Sequence, residues 1–201
     1  MDAIPDVVPV LVLSGSVGSG KSTVGRCVAR MLRDGDVPHA LVDHEWLAYS
    51  WPVAPDDRWN ERVAAANLAC VWSNFRSAGA ERLIFCRVLE ARSLPRYVTG
   101  AIPGAAATVV QLRVPLGLIR QRLSRREPEP DGYLGAAFAL TGRLDVSDVA
   151  DFVIDNGERA PDDVARRSWA SWAGCADQSP PSLRPDAEAF VWSPWQRRPG
   201  V

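Results

Sequence analysis

The run Gly15-Ser16-Val17-Gly18-Ser19-Gly20-Lys21-Ser22 matches the pattern G-x-x-x-x-G-K-[ST]. Each residue type in it suits phosphate oxygens. Glycines admit the backbone conformations that turn successive N–H groups into one concave nest. A helix opening at Lys21 adds the positive end of its dipole. A lysine in that place reaches β- and γ-phosphates, and the hydroxyl after it ligates Mg²⁺. Gly15 to Ser22, with Thr23 beside them, therefore form the candidate site for nucleotide phosphates. Lys21 is the candidate catalytic cation and Ser22 a candidate metal ligand.

Composition singles out the same lysine. It is the only one in the chain; the other 22 basic residues are arginines. Where arginine has replaced lysine everywhere else, the survivor points to a task that needs a compact ammonium on a flexible stem. The lone lysine also excludes the N/T-K-x-D motif by which guanine-specific GTPases read their base.

The elements that must position this loop follow from periodicity. Val7–Leu13 is a short apolar, β-branched run and predicts a buried parallel strand. Val24, Cys27, Val28 and Met31 recur at helical spacing, which predicts a helix over 21–33 before Gly35 and Pro38 break it. Further strands are expected at Ala40–Val42, Arg82–Cys86, Thr108–Val114 and Phe152–Ile154. Helices are expected at 58–77, 90–99, 116–126, 134–144 and 161–172, and a polar, proline-rich loop at 127–132. Strands alternating with helices predict an α/β fold with a parallel sheet of five strands.

Two acids stand at strand ends, Asp43 and Asp155. The third strand runs into Cys86-Arg87 and has no acid where AAA-type and transport ATPases carry one. Asp43 reads either as a functional carboxylate or as the N-cap of a helix. His44 reads more readily as a packing or surface histidine than as a base. Arg122 and Arg126 lie four apart on one helical face, with Arg125 beside them.

The P-loop in this strand–helix context resembles that of small P-loop kinases with an adenylate-kinase-like core. Adenylylsulfate kinase, gluconate kinase, shikimate kinase and chloramphenicol phosphotransferase are examples; the chain looks closer still to actinobacterial ATP-binding proteins without an assigned substrate. The resemblance covers about residues 7–172 and is specific only at the P-loop. It implies ATP and Mg²⁺ as cofactors, a lid near 120–134, and transfer of phosphate to a small-molecule hydroxyl. It implies that Asp43 accepts the acceptor's proton or holds a water on Mg²⁺. It gives Arg122, Arg126 and Arg125 to the nucleotide phosphates or adenine. The loop containing Asn156 would meet adenine through its backbone.

The acceptor is then expected between the second strand, the helix at 58–77 and the end of the third strand. Candidate liners are Asp43, Trp46, Arg58, Asn67 and Arg87, with Trp51, Trp59 and Asn74 nearby. Asn67 could equally be a satisfied core asparagine. Four of the eight tryptophans fall between 46 and 72, as core packing or as an aromatic pocket wall. Arg58 or Arg87 would suit an anionic acceptor. The Asp-Gly-Phe-Pro-Arg pattern of nucleoside monophosphate kinases is absent.

The chain has 201 residues and a formal net charge of −1. That predicts one domain over 1–175, with a proline- and tryptophan-containing tail over 176–201. It supplies no global basic field for nucleic acid. Nothing in it reads as a membrane span or secretory leader, and the four cysteines have no zinc-like spacing. A cytoplasmic protein is expected; a homodimer is left open. The rival expectation is an ATP-binding regulatory or scaffold protein with weak ATPase activity and a partner-binding tail.

Overall fold

The computed structural model describes residues 7–89, 94–125 and 149–176. Five strands form one parallel sheet: β1 (Val8–Ser14), β2 (His39–Asp43), β3 (Arg82–Cys86), β4 (Ala105–Arg113) and β5 (Phe152–Asp155). Their spatial order is β2-β3-β1-β4-β5. The helices are α1 (Lys21–Asp34), α2 (His44–Ala48), α3 (Glu61–Ser77), α4 (Leu94–Ala101), α5 (Leu116–Ser124) and α6 (Pro161–Ala176).

The sheet sorts its side chains by parity, as a pleated strand must. From β1, Leu11 and Leu13 face a core shared with α1 and α6; Val8, Val10 and Val12 face the other, under α3 and α4. β3 divides in the same way, with Ile84 and Cys86 on one side and Leu83 and Phe85 on the other. Both faces are covered, so β1 reads as a continuous apolar run. A third, smaller cluster joins Val114, Ile119 and Leu123 to Val17, and so seats α5 on the P-loop.

This topology places the site. β1 lies at the centre, and the chain crosses over it between β3 and β4. Ligands of such sheets bind outside the carboxyl ends of the strands, where the winding changes direction. The carboxyl ends of β1, β2 and β3 carry the P-loop, Asp43 and Arg87.

The expected architecture is present, with differences at element ends. Helix α3 starts at Glu61 rather than 58, because the Asp57 carboxylate accepts from the Glu61 and Arg62 N–H groups and caps the helix there. The helix expected over 90–99 is α4, which puts Pro95 in its first turn, where a missing N–H costs nothing. Helix α2 is the helix that the N-cap reading of Asp43 implied; no apolar period marks it. The proline-rich loop at 127–132, the helix at 134–144, Arg126, most of the lid and the tail from 177 lie outside the described residues. Among the described residues, no helix is long and apolar enough to cross a membrane.

Trp169 is buried between α1 and the sheet and meets Trp172 edge-on at 5.3 Å. Trp169→Ala is expected to cost about 3–5 kcal/mol in urea unfolding. A loss below about 1 kcal/mol would contradict this placement of α6.

Candidate functional site

The P-loop glycines are forced by space as well as by backbone. Gly15 has φ 147, and a Cβ there would lie 2.5 Å from Ser19 Oγ and 2.7 Å from the Leu112 carbonyl oxygen. Gly18 and Gly20 have φ 81 and 95. Gly20 is the N-cap of α1 and offers no side-chain cap, and the first turn of α1 contains no acid. The helix thus presents uncompensated N–H groups and its positive end to the cleft, the arrangement that suits a phosphate.

Lys21 is 7% exposed. Its Nζ donates to the carbonyl oxygens of Gly15 and Ser16, both at 3.1 Å, so the ammonium folds back over the loop it belongs to. Ser22 is part-buried and Thr23 exposed. The Ser22 hydroxyl donates to Asp43 Oδ2 at 2.6 Å. Asp43 Oδ1 accepts from the Glu45 N–H at 3.2 Å. The N-cap reading of Asp43 is thus present in one oxygen, and the other oxygen accepts from the P-loop serine.

Asp43 pairs in register with Cys86 at the end of β3. Cys86 takes the place an acid would occupy there, and it is packed tight. Its thiol donates to the Lys21 carbonyl oxygen, and a Cβ on Gly25 would come within 2.8 Å of its sulfur. Burial pushes the Cys86 thiol up to about 12, so it stays protonated. The acid at this end of the sheet is thus one strand away, on β2.

A hard-oxygen pair in contact, Ser22 Oγ with Asp43 Oδ2, fits Mg²⁺. Such an ion keeps several waters and needs few protein ligands when phosphates complete its shell. Among the described residues no group of three or more His, Cys, Asp or Glu could hold a metal ion by itself.

A strut joins the P-loop to the far side of the cleft. Asn156 is buried, and its Nδ2 donates to the Ser19 carbonyl oxygen at 2.6 Å. Arg122 donates from Nη2 to the carbonyl oxygens of Asn156 and Gly157 at 2.9 and 3.0 Å, and from Nη1 to that of Gly18 at 3.4 Å. Burial alone lowers the Arg122 pKa, which leaves an arginine charged at neutral pH. Arg122, expected at the nucleotide, lies against the P-loop with backbone carbonyls as its partners; Arg125 is exposed at the end of α5. The side chain of Asn156, rather than only its backbone, was not foreseen as a contact.

Beside Cys86, Arg87 lies at the end of β3, and its Nη2 donates to Glu61 Oε2 at 2.5 Å. The guanidinium lies over the Tyr97 ring, 4.1 Å from its centroid. His44 packs edge-on against Phe85 and Tyr97. Burial first, then Arg87, hold His44 down to about 4, so it is neutral near pH 7. Asn67 donates to the Leu47 carbonyl oxygen at 2.8 Å and pins α2 onto α3. Arg58 lies over the Trp59 ring at 5.2 Å, and Asn74 is exposed. Of the four tryptophans between 46 and 72, Trp72 alone packs in the core; Trp46, Trp51 and Trp59 are 80%, 89% and 69% exposed. Glu61 and Tyr97 carry no signal in the sequence, because only tertiary packing brings them to Arg87.

No family model matches this sequence, and no curated protein matches it. Solved structures do share its fold. A sugar kinase from Janibacter sp. HTCC2649 matches at 20% identity and TM-score 0.59, over 84% of this chain and 96% of that one. The tunicamycin resistance protein of Deinococcus radiodurans matches at 16% identity and TM-score 0.62, over 88% and 99%. The APS kinase of Mycobacterium tuberculosis, solved with AMPPNP and APS, matches at 17% identity and TM-score 0.52, over 83% and 98%. The likeness is one of fold, and it is the fold that the P-loop resemblance implied.

The strut yields a test that needs no ligand. A Cβ on Gly20 would come within 2.8 Å of Asn156 Nδ2. Asn156→Ala is expected to cost about 1–3 kcal/mol by orphaning buried polar groups, and Gly20→Ala at least about 1 kcal/mol from its left-handed backbone. The double variant should lose at least about 0.5 kcal/mol less than the sum, since the clash disappears. Strict additivity in urea unfolding would contradict the contact.

Proposed function

We propose that the protein is an ATP-dependent small-molecule kinase, transferring the γ-phosphoryl group of ATP to a hydroxyl group. The observation that carries this reading is the 2.6 Å contact between Ser22 of the P-loop and Asp43 of β2. It brings a carboxylate to the point where the phosphates would end and an acceptor would begin. The fold shared with a sugar kinase and with an APS kinase solved with AMPPNP supports it.

In this reading the N–H groups at the start of α1 and the loop 15–20 bind the β- and γ-phosphates. Lys21 exchanges its two backbone carbonyls for phosphate oxygens. Ser22 directly, and Asp43 through a water, would hold Mg²⁺; when bound, the ion neutralises charge on the transferring group. The acceptor hydroxyl oxygen forms a bond to the γ-phosphorus, the bond from that phosphorus to the departing ADP oxygen breaks, and the hydroxyl proton goes to the Asp43 carboxylate. The Arg122–Asn156 strut holds the P-loop against β5 while this happens. Trp46, Arg58 and Arg87 border the acceptor, and Asn67 sets the position of α2. Arg125 and Arg126 are assigned to the nucleotide, at the start of the lid. Among the described residues nothing favours the regulatory or scaffold alternative.

Lys21→Ala is expected to weaken AMPPNP binding at least about 100-fold, the loss of a charge-assisted contact to phosphate; unchanged affinity by calorimetry would remove the P-loop assignment. Asp43→Asn is expected to lower kcat by about 10²–10⁴ while the KM for ATP stays within a few-fold. Equal losses in both would show that Asp43 serves nucleotide binding and not proton transfer.

A further inference from the structure

From the middle of α2 onward, ten residues carry no charge: Trp46-Leu47-Ala48-Tyr49-Ser50-Trp51-Pro52-Val53-Ala54-Pro55. Tyr49, 86% exposed, joins Trp46, Trp51 and Trp59 on the outside of the molecule. The rings of Trp46 and Tyr49 lie with centroids 6.4 Å apart. At about 150–250 Å² per aromatic side chain, the exposed parts of these four amount to roughly 500–800 Å². The largest apolar patch on an ordinary monomer covers about 300–600 Å². One side of a standard protein interface covers about 800 Å².

The segment is held in place from beneath. Asn60 is buried, and its Nδ2 donates to the Ala48 carbonyl oxygen at 2.9 Å and to the Ser50 hydroxyl at 3.1 Å. Asn67 ties Leu47 to α3, and Leu47 packs against the core under that helix. The Asn60 tie returns the chain before α3 to the end of α2, so Trp59 enters the same stretch of surface as Tyr49 and Trp51. Polar contacts thus fix a backbone whose large rings stand in water. Exposed rings contribute no burial to the fold, whereas Trp and Tyr are the side chains that dominate binding at protein interfaces.

The charges around the segment select its occupant. Asp56 is paired with Arg62, and Glu61 with Arg87. The Asp57 carboxylate accepts from the first N–H groups of α3. Glu45 and Arg58, both exposed, flank the uncharged run. Such a surface offers little to a polyanion or an anionic bilayer. It is complementary to itself, because a two-fold axis through the aromatics sets Glu45 of each copy against Arg58 of the other.

We propose that the segment 46–59 is the interface of a homodimer, docked on a second copy of this chain by two-fold symmetry. The rings pack on one another at its centre, and two Glu45–Arg58 pairs close its rim. The dimer does not depend on the kinase reading. Trp46 and Arg58 also border the acceptor in that reading, so the second copy stands at the edge of the site.

Sedimentation velocity of the full chain over about 1–100 µM reads the assembly, and a reversible dimer is expected. Tyr49→Ser and Trp51→Ser should each weaken it at least about 10-fold. Neither should move the urea midpoint, since both side chains lie outside the core. Glu45→Arg and Arg58→Glu should each weaken it at least about 5-fold, because like charges then meet across the axis. An equimolar mixture of these two variants should recover the wild-type affinity, since opposite charges then meet at both contacts. A misfolded variant would not be rescued in this way. A monomer throughout the range would overturn the proposal, and its co-sedimentation with phosphatidylcholine vesicles would assign the segment to a neutral bilayer instead. A dimer unmoved by Tyr49→Ser and Trp51→Ser, or a mixture no tighter than its components, would also overturn it.

Discussion

The N-terminus of α1 is a helix end that the protein does not finish. Gly20 supplies no side-chain cap, and no acid stands in the first turn. Two other helix starts are treated differently: the Asp43 carboxylate caps α2, and the Asp57 carboxylate accepts from the first N–H groups of α3. A polar helix end at the mouth of a cleft leaves several N–H groups and a partial positive charge to be met from outside. The surroundings preserve that condition. The Gly15 backbone is held against Ser19 and Leu112 so closely that no side chain fits. Asn156 and Arg122 grip the carbonyl side of the loop and leave its N–H side for a ligand. Lys21 waits on two carbonyls of the same loop. Strand β1 is buried on both faces, which gives this arrangement a rigid base.

The second constraint is where the acid stands. The register of β2 against β3 puts Asp43 beside Cys86 at the same level. Gly25 and the first turn of α1 leave room for little more than a thiol at Cys86. The carboxylate therefore comes from β2, on the side of the P-loop that faces α2, α3 and α4. The residues beyond it are of mixed character: a paired arginine, a neutral histidine and three exposed tryptophans.

Much of this was legible in the sequence, and the limits have physical causes. The bounds of β3 follow from a run of five residues that are all buried, closed by a charged residue on each side. Lys21 and Ser22 are specified by motif and by the lone lysine. Helix α2 has five residues and none of them buried, so no apolar period marks it; only the capping aspartate does, and that signal has a second meaning. Asn67 and Asn156 both proved to bind backbone carbonyls of remote segments, at Leu47 and Ser19. A sequence does not record which remote carbonyl an amide will find. The same holds for Glu61 and Tyr97, whose meeting with Arg87 depends on how α3 and α4 pack over the sheet. The tryptophans illustrate the reverse: composition alone favoured core packing over a pocket wall, and burial places Trp72 in the core but leaves the other three exposed.

The central claim is that a phosphoryl group passes to an organic hydroxyl rather than to water. The direct measurement is to incubate the full chain with Mg²⁺ and γ-³²P-labelled ATP in a deproteinised cell extract and to separate the labelled products. The account predicts a labelled organic phosphate ester that Lys21→Ala does not form. Label that appears as inorganic phosphate alone, at the same rate with and without the extract, would contradict it and leave a P-loop ATPase in its place.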